Sequence, residues 1–200
     1  MERRSLPFEI RAAGDGKPDT LAGYAAVFDT LSQDMGGWYE RIGKNAFKNA
    51  LDEDEHDVVA LWAHDPTKPL ASRRGGSLDL TEDETGLAFE MRMPAMTSWA
   101  KDAKEAIDAK LVTKMSFGFM IREGGDIWQR DGERIVRTII DAELYEISPV
   151  AIPAYDATSV EARSLEAFRK YLSAEERASK QTAKARFNFA LAKNKTRRAG

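Results

Sequence analysis

The sequence predicts a mixed α/β protein, mainly β: a small core of short strands, helices packed outside it, and a helical, basic C-terminal tail. Three observations carry that expectation. Strand-length apolar or alternating segments recur along residues 1–160 between turn signals. One stretch, after Thr97, has the apolar spacing of a helix instead. Charge is divided unevenly: residues 161–200 hold eleven Lys/Arg against four Asp/Glu, net +7, leaving −10 for residues 1–160 although the whole chain is only −3.

Leu21–Phe28 reads as a strand and Asp34–Gly37 as a loop. Asn45–Leu51 reads as a short helix with Ala46, Phe47, Ala50 and Leu51 on a shared face. Val58–Trp62 is a continuous apolar run of strand length, ended by His64-Asp65-Pro66, because proline removes a ladder donor and holds Asp65 extended. Ser77–Leu80 and Gly86–Met93 alternate as strands around the acidic turn at Glu82-Asp83-Glu84. Thr97 or Ser98 can cap a helix to about Ala109, with Trp99, Ala103, Ala106 and Ile107 at helical spacing. Strands at 115–122, 134–140 and 143–152 follow, then a helix over 161–178 with Leu165, Phe168 and Leu172 on one face. Beyond about Lys180 the Lys/Arg/Ala-rich chain is expected to be mobile. Six or seven strands and one internal helix suit a small mixed barrel or sandwich. The expected division is a domain over 1–160 and a tail over 161–200.

Composition narrows the function. At 200 residues, 42% hydrophobic and 32% charged, the chain is long enough for one sizeable core. No apolar run reaches the roughly 18 residues that span a bilayer, and no signal-peptide core follows the charged N-terminus, so an intracellular setting is expected. The absence of cysteine removes disulfides, a thiol nucleophile and cysteine-ligated zinc. No His-Glu-x-x-His spacing is present, so metal catalysis is not expected.

Two histidines are the only neutral-pH bases on offer. His56 lies in the charged run Asp52–Asp57, which reads as a solvated turn. His64 follows the most apolar strand and would emerge at its end, either bonded to backbone or poised as a base. In Lys114–Ile121, alternation puts Met115, Phe117, Phe119 and Ile121 on one face and Ser116 and Gly118 on the other. A glycine beside a nucleophile candidate admits either a second backbone or a packing irregularity. In Ala142–Val150 the same alternation groups Glu146 with Ala142, Leu144 and Val150, so its carboxylate needs a partner, a histidine N–H or an arginine. One serine, one histidine and one inward glutamate are the set needed for nucleophilic acyl transfer.

These residues resemble the prohead proteases of tailed phages, which are related in fold to the herpesvirus assembly proteases. Over roughly residues 8–160, Gly23–Phe28 with Trp38–Phe47 is similar to the family's N-terminal block, and Leu61–Asp65 with Pro69-Leu70 to its histidine block. Met115–Phe119 is similar to the serine block, and Leu144–Ser148 with Pro153–Tyr155 to the final one. The resemblance implies Ser116 as nucleophile, His64 as general base and Glu146 as third member. The chain departs from the family pattern where Ala71-Ser72 follows Leu70 and where Ala109-Lys110-Leu111 ends the helix, positions expected to hold glycine. The herpesvirus relatives use a second histidine as third member, a role His56 could fill only if its loop folds back.

What the resemblance further implies is a seven-stranded barrel-like core and a serine endopeptidase of capsid maturation. Such an enzyme acts inside the prohead in the host cytoplasm and cleaves the scaffolding region of the major capsid protein and then itself, with self-association open. No cofactor is implied. Arg73 and Arg74 are candidates, by analogy, for the loop that forms an oxyanion hole. Two other classes remain as alternatives: an inactive protease-like scaffold or capsid-binding protein, and a nucleic-acid-binding protein. The acidic body argues against the latter, and no nucleic-acid or membrane partner is expected.

Overall fold

The computed structural model describes residues 1–6, 11–12, 20–53, 55–93, 97–152 and 162–198. Its elements in chain order are β1 (Glu2–Leu6), β2 (Arg11–Ala12), β3 (Thr20–Val27), β4 (Tyr39–Ile42), α1 (Lys48–Glu53), β5 (Val59–Trp62), β6 (Asp65–Ser72), β7 (Leu78–Glu82), β8 (Gly86–Arg92), α2 (Ser98–Asp108), β9 (Lys114–Ile121), β10 (Asp126–Asp131), β11 (Arg134–Ile139), β12 (Ala142–Val150) and α3 (Ala162–Arg198). The protein is mixed α/β and mainly β. Two compact units divide the chain, Met1–Ser159 and Val160–Gly200.

In the first unit the strands form three sheets: β1-β9-β12-β5-β6, β10-β11-β4 and β2-β3-β8-β7. No closed barrel forms among the described residues, in contrast to the expected seven-stranded barrel. β1 and β6 end the central sheet as edges, and a single bridge from Phe28 to Ile42 joins the two smaller sheets. Between the sheets lies one core, with Leu21, Ala25, Leu87 and Met91 facing Phe117, Phe119, Leu144 and Ile147 among others. Phe47, just before α1, meets Phe117 edge-on at 5.6 Å.

Four local expectations are corrected. Pro66 does not end strand pairing: the chain turns at Ala63-His64 and returns as β6, in an edge position where proline costs no ladder bond. β1 and β4 were not expected, because Glu2, Arg3, Arg4, Tyr39, Glu40 and Arg41 lack the apolar alternation of a strand. Thr97 precedes α2 without a side-chain capping bond, and the helix buries Ala100, Ala103 and Ile107. The last helix does not stop near Lys180 but continues to Arg198. It contains no Gly or Pro, and its Ala, Lys, Arg and Glu residues are strong helix formers.

The missing glycine after α2 has a visible consequence. Lys110 takes φ 58°, the left-handed conformation in which helices commonly end, and its N–H bonds Ile107 O while Leu111 N–H bonds Ala106 O. A lysine thus holds the turn that glycine would adopt without a Cβ penalty.

Candidate active site

β9 and β12 pair antiparallel at the centre of the main sheet, with Ser116 opposite Ser148 and Gly118 opposite Glu146. The register shifts between Leu144 and Glu146, so Tyr145 is an extra residue. A bulge of this kind reverses the facing of everything after it. Glu146 therefore does not share a face with Ala142 and Leu144, as simple alternation predicts. It joins Ser148, Ser116 and Gly118 on the side away from Phe117 and Phe119, and Ile147 takes the core position against Phe117.

Gly118 lies directly under that carboxylate. A Cβ built there would come within 2.6 Å of Glu146 Oε1, so the absence of a side chain makes room for the glutamate. Of the two readings of this glycine, the structure supports packing, with a side chain rather than a substrate backbone as the close neighbour.

His64 reaches the same face from the tip of the β5–β6 hairpin. Trp62 pairs with Asp65, leaving Ala63 and His64 as a two-residue turn with φ of 52° and 63°. Both values are positive, as in the type I′ turns that usually carry Asn-Gly. Non-glycine residues held this way cost about 1–3 kcal/mol each and persist only where surroundings enforce them. Here Ala63 N–H donates to Pro149 O at 3.3 Å and His64 N–H to Ser148 Oγ at 3.2 Å. Asp65 braces the other side, accepting from Thr67 N at 2.9 Å and Thr67 Oγ1 at 2.6 Å. Those bonds, the hydroxyl's first, and the nearby Lys68 ammonium hold the Asp65 carboxyl down at about 2.

The ring is then aimed. His64 Nδ1 lies 2.6 Å from Glu146 Oε1, and Ser148 Oγ donates to Glu146 Oε2 at 2.5 Å. Glu146 is 2% exposed, so its carboxylate is satisfied by these neighbours rather than by water. Arg3 approaches from β1, its Nε 3.8 Å from Oε1. With Nδ1–H donating to the carboxylate, Nε2 becomes the acceptor, and this buried atom has no hydrogen-bond partner among the described residues.

Ser116 shares the face but is not bonded to the imidazole. It is fully buried, and its hydroxyl donates to Arg4 O at 2.8 Å. Of the three residues expected to act together, His64 and Glu146 are in contact, and Ser116 lies one register step from Gly118 beneath them, facing β1. His56 is elsewhere. Its ring stacks on Tyr145 at 5.2 Å and its Nε2 lies 3.8 Å from Glu143, whose bond to the Tyr145 hydroxyl pushes that phenol up to about 12.

Arg73 and Arg74 do not fit the oxyanion-loop analogy. Arg73 N–H donates to Val58 O and its guanidinium to Leu51 O, while Arg74 N–H donates to Asp57. The hairpin puts them at the end opposite His64, since Ser72 pairs with Val59 and Asp65 with Trp62. Pro153–Tyr155 lies outside the described residues. Sequence reasoning missed Ser148 and Arg3. Ser148 was findable, because position i+2 on a strand shares the face of Glu146; Arg3 carried no signal.

The residues of this face lie within a recognisable segment of chain. A family model described as caudovirus prohead serine protease matches residues 6–171. The chain belongs to that family. The prohead protease of Enterobacteria phage HK97 is 33% identical over 154 residues, which cover 77% of this chain and 64% of that relative. The match therefore spans a little under two thirds of the relative's length. No solved structure matches the chain significantly. The family match begins at the end of β1 and runs into α3, further than the 8–160 span of the sequence motifs.

Proposed function

We propose that this prohead protease family member is a serine endopeptidase that cleaves the scaffolding region of the major capsid protein, and itself, inside the phage prohead in the host cytoplasm. Ser116 is the nucleophile, His64 the general base and Glu146 the group that orients and charges the base. The observation that carries the reading is the bond from His64 Nδ1 to Glu146 beside an Nε2 without a partner among the described residues. In the reaction, Ser116 Oγ attacks the scissile carbonyl carbon as its proton passes to Nε2. Glu146 stabilises the imidazolium that results. The proton then goes to the leaving amine nitrogen, the C–N bond breaks, and water hydrolyses the acyl-serine by the same route. Backbone N–H groups would stabilise the oxyanion, and the steps named require no cofactor.

A second reading, an inactive scaffold or capsid-binding protein, is favoured by one observation: the Ser116 hydroxyl bonds Arg4 O instead of the imidazole. Incubation of purified protein with its cognate capsid precursor separates the two. The protease reading expects a discrete cleavage that Ser116→Ala removes. Precursor bound but left intact both by the folded wild-type protein and by a folded chain lacking residues 1–6 would establish the scaffold instead. The basic segment from Glu161 is assigned to packaging or self-cleavage rather than chemistry, because its +7 charge suits an acidic surface through salt-sensitive attraction.

A further inference from the structure

β1 pairs antiparallel with β9 along its whole length, Glu2 opposite Phe119 through Leu6 opposite Met115, with Ser5 opposite Ser116. Two consequences bear on any chemistry at Ser116. The residue is 0% exposed, so no substrate carbonyl reaches it, and its proton is already donated to Arg4 O. Meanwhile the acceptor that should take that proton, His64 Nε2, is buried and unpartnered. The donor and the acceptor of the proposed reaction are thus both present and both diverted or idle. The strand responsible is an edge strand, and without it β9 would be the edge, presenting a row of N–H and C=O groups to any extended peptide. The family match starts only at residue 6, so nearly all of β1 precedes it.

We propose that the edge of β9 beneath β1 is the binding edge for an extended substrate peptide, and that β1 is a built-in occupant which keeps Ser116 out of reach until displaced. This rests on the reading of Ser116 as the nucleophile. The occupant is held by side chains on both of its faces. Arg4 inserts between Glu40, with Nε 2.5 Å from Oε1, and Glu2, with Nη2 2.6 Å from Oε2. Arg3 lies on the opposite face, near Glu146. The arrangement is also suited to release. Glu40 has a second cation, Arg137 Nη1 at 3.2 Å, which itself bonds Asp126 through Nε at 2.7 Å. When Arg4 leaves, Glu40 keeps a partner and no lone carboxylate is stranded in the core. Departure of β1 also removes the Arg4 carbonyl from Ser116, freeing its hydroxyl to seek the acceptor at His64.

The test is the rate at which a fluorophosphonate probe labels Ser116 in the full chain, in a chain lacking residues 1–6, and in full-length Arg4→Met. Ser116→Ala sets the background and thermal melts verify folding. Deletion of β1 should raise the labelling rate at least tenfold, with Arg4→Met in between. A synthetic peptide of residues 1–7 added to the shortened chain should slow labelling again. If the shortened chain does not fold, Arg4→Met alone decides. Equal labelling of folded wild-type and variant proteins, unaffected by the peptide, would overturn the occupant role while leaving Ser116 as nucleophile. Absence of labelling in every folded form, with no cleavage of capsid precursor, would overturn the nucleophile and this inference with it.

Discussion

On one side of the β1–β9 pair, Arg4 and Arg137 share the carboxylates of Glu2, Glu40 and Asp126, and Arg137 also lies within 6 Å of the Trp38 and Trp128 rings. On the other side, Glu146 holds His64 and Ser148, while His64 Nε2 faces no partner. Both clusters bury charge in a sheet interior, where desolvation is expensive unless hydrogen bonds compensate it. The first closes on itself: each carboxylate meets a guanidinium. The second stops one donor short, with the His64 Nε2 acceptor left open. A buried polar atom left open costs stability, so a complete cluster suits a structural role, whereas an incomplete one on a strained turn suits chemistry.

That contrast is most exposed to failure at the incomplete cluster. Ser116→Ala and His64→Ala should each lower cleavage of capsid precursor roughly a thousandfold or more, against little change for His56→Ala. Ser116→Ala should cost only about 1 kcal/mol in a denaturant melt, the worth of one hydrogen bond to Arg4 O. If His56→Ala is the damaging variant, the base has been misassigned. Glu146→Gln should slow turnover by about a hundredfold, since it keeps the shape but loses the charge beside the imidazole. Ser148→Ala should lower kcat about tenfold with little change in KM, because the hydroxyl holds the His64 backbone and the Glu146 carboxylate but touches no substrate. Wild-type kcat in Ser148→Ala would show that the turn needs no such brace.

The complete cluster should respond in stability. Glu40→Gln leaves two guanidinium groups without their shared carboxylate and should lose about 3–5 kcal/mol in a urea melt. A loss below 1 kcal/mol would mean that Glu2 and Asp126 neutralise both arginines unaided. Smaller still is Lys110→Gly, expected to add about 1 kcal/mol because glycine adopts the left-handed turn without a Cβ penalty.

The smallest effect concerns Asp65, half-buried on the brace beside His64. Its folded carboxyl titrates at about 2, below the unfolded value of about 3.9. The group therefore stabilises the fold above pH ~4 and loses that contribution as pH falls towards 2. Melting temperatures of wild type and Asp65→Asn should differ at neutral pH and converge across that window; a constant difference would remove the carboxylate from the brace.

Most of the strand content, α2 and both partners of the His64–Glu146 contact were legible in the sequence because they depend on local signals. Val58–Trp62, Gly86–Met93 and Lys114–Ile121 advertise themselves by apolar pattern, and with only two histidines the base candidates were few. Ser116 and Gly118 were correctly put on one face by period-2 alternation. What failed around the site was whatever depends on a partner distant in sequence. β1 reads only as a charged N-terminus, and it becomes a strand because Arg4 finds Glu40, 36 residues away. The bulge at Tyr145, invisible to an alternation rule, moved Glu146 to the other face. Ala63-His64 carries no turn signature, and its strained hairpin is held by Ser148 from 84 residues away. The sequence by itself determined which residues could form strands and which side chains could exchange a proton. Only the tertiary structure decided which of them meet, because burial and long-range hydrogen bonds stabilise conformations that local propensity disfavours.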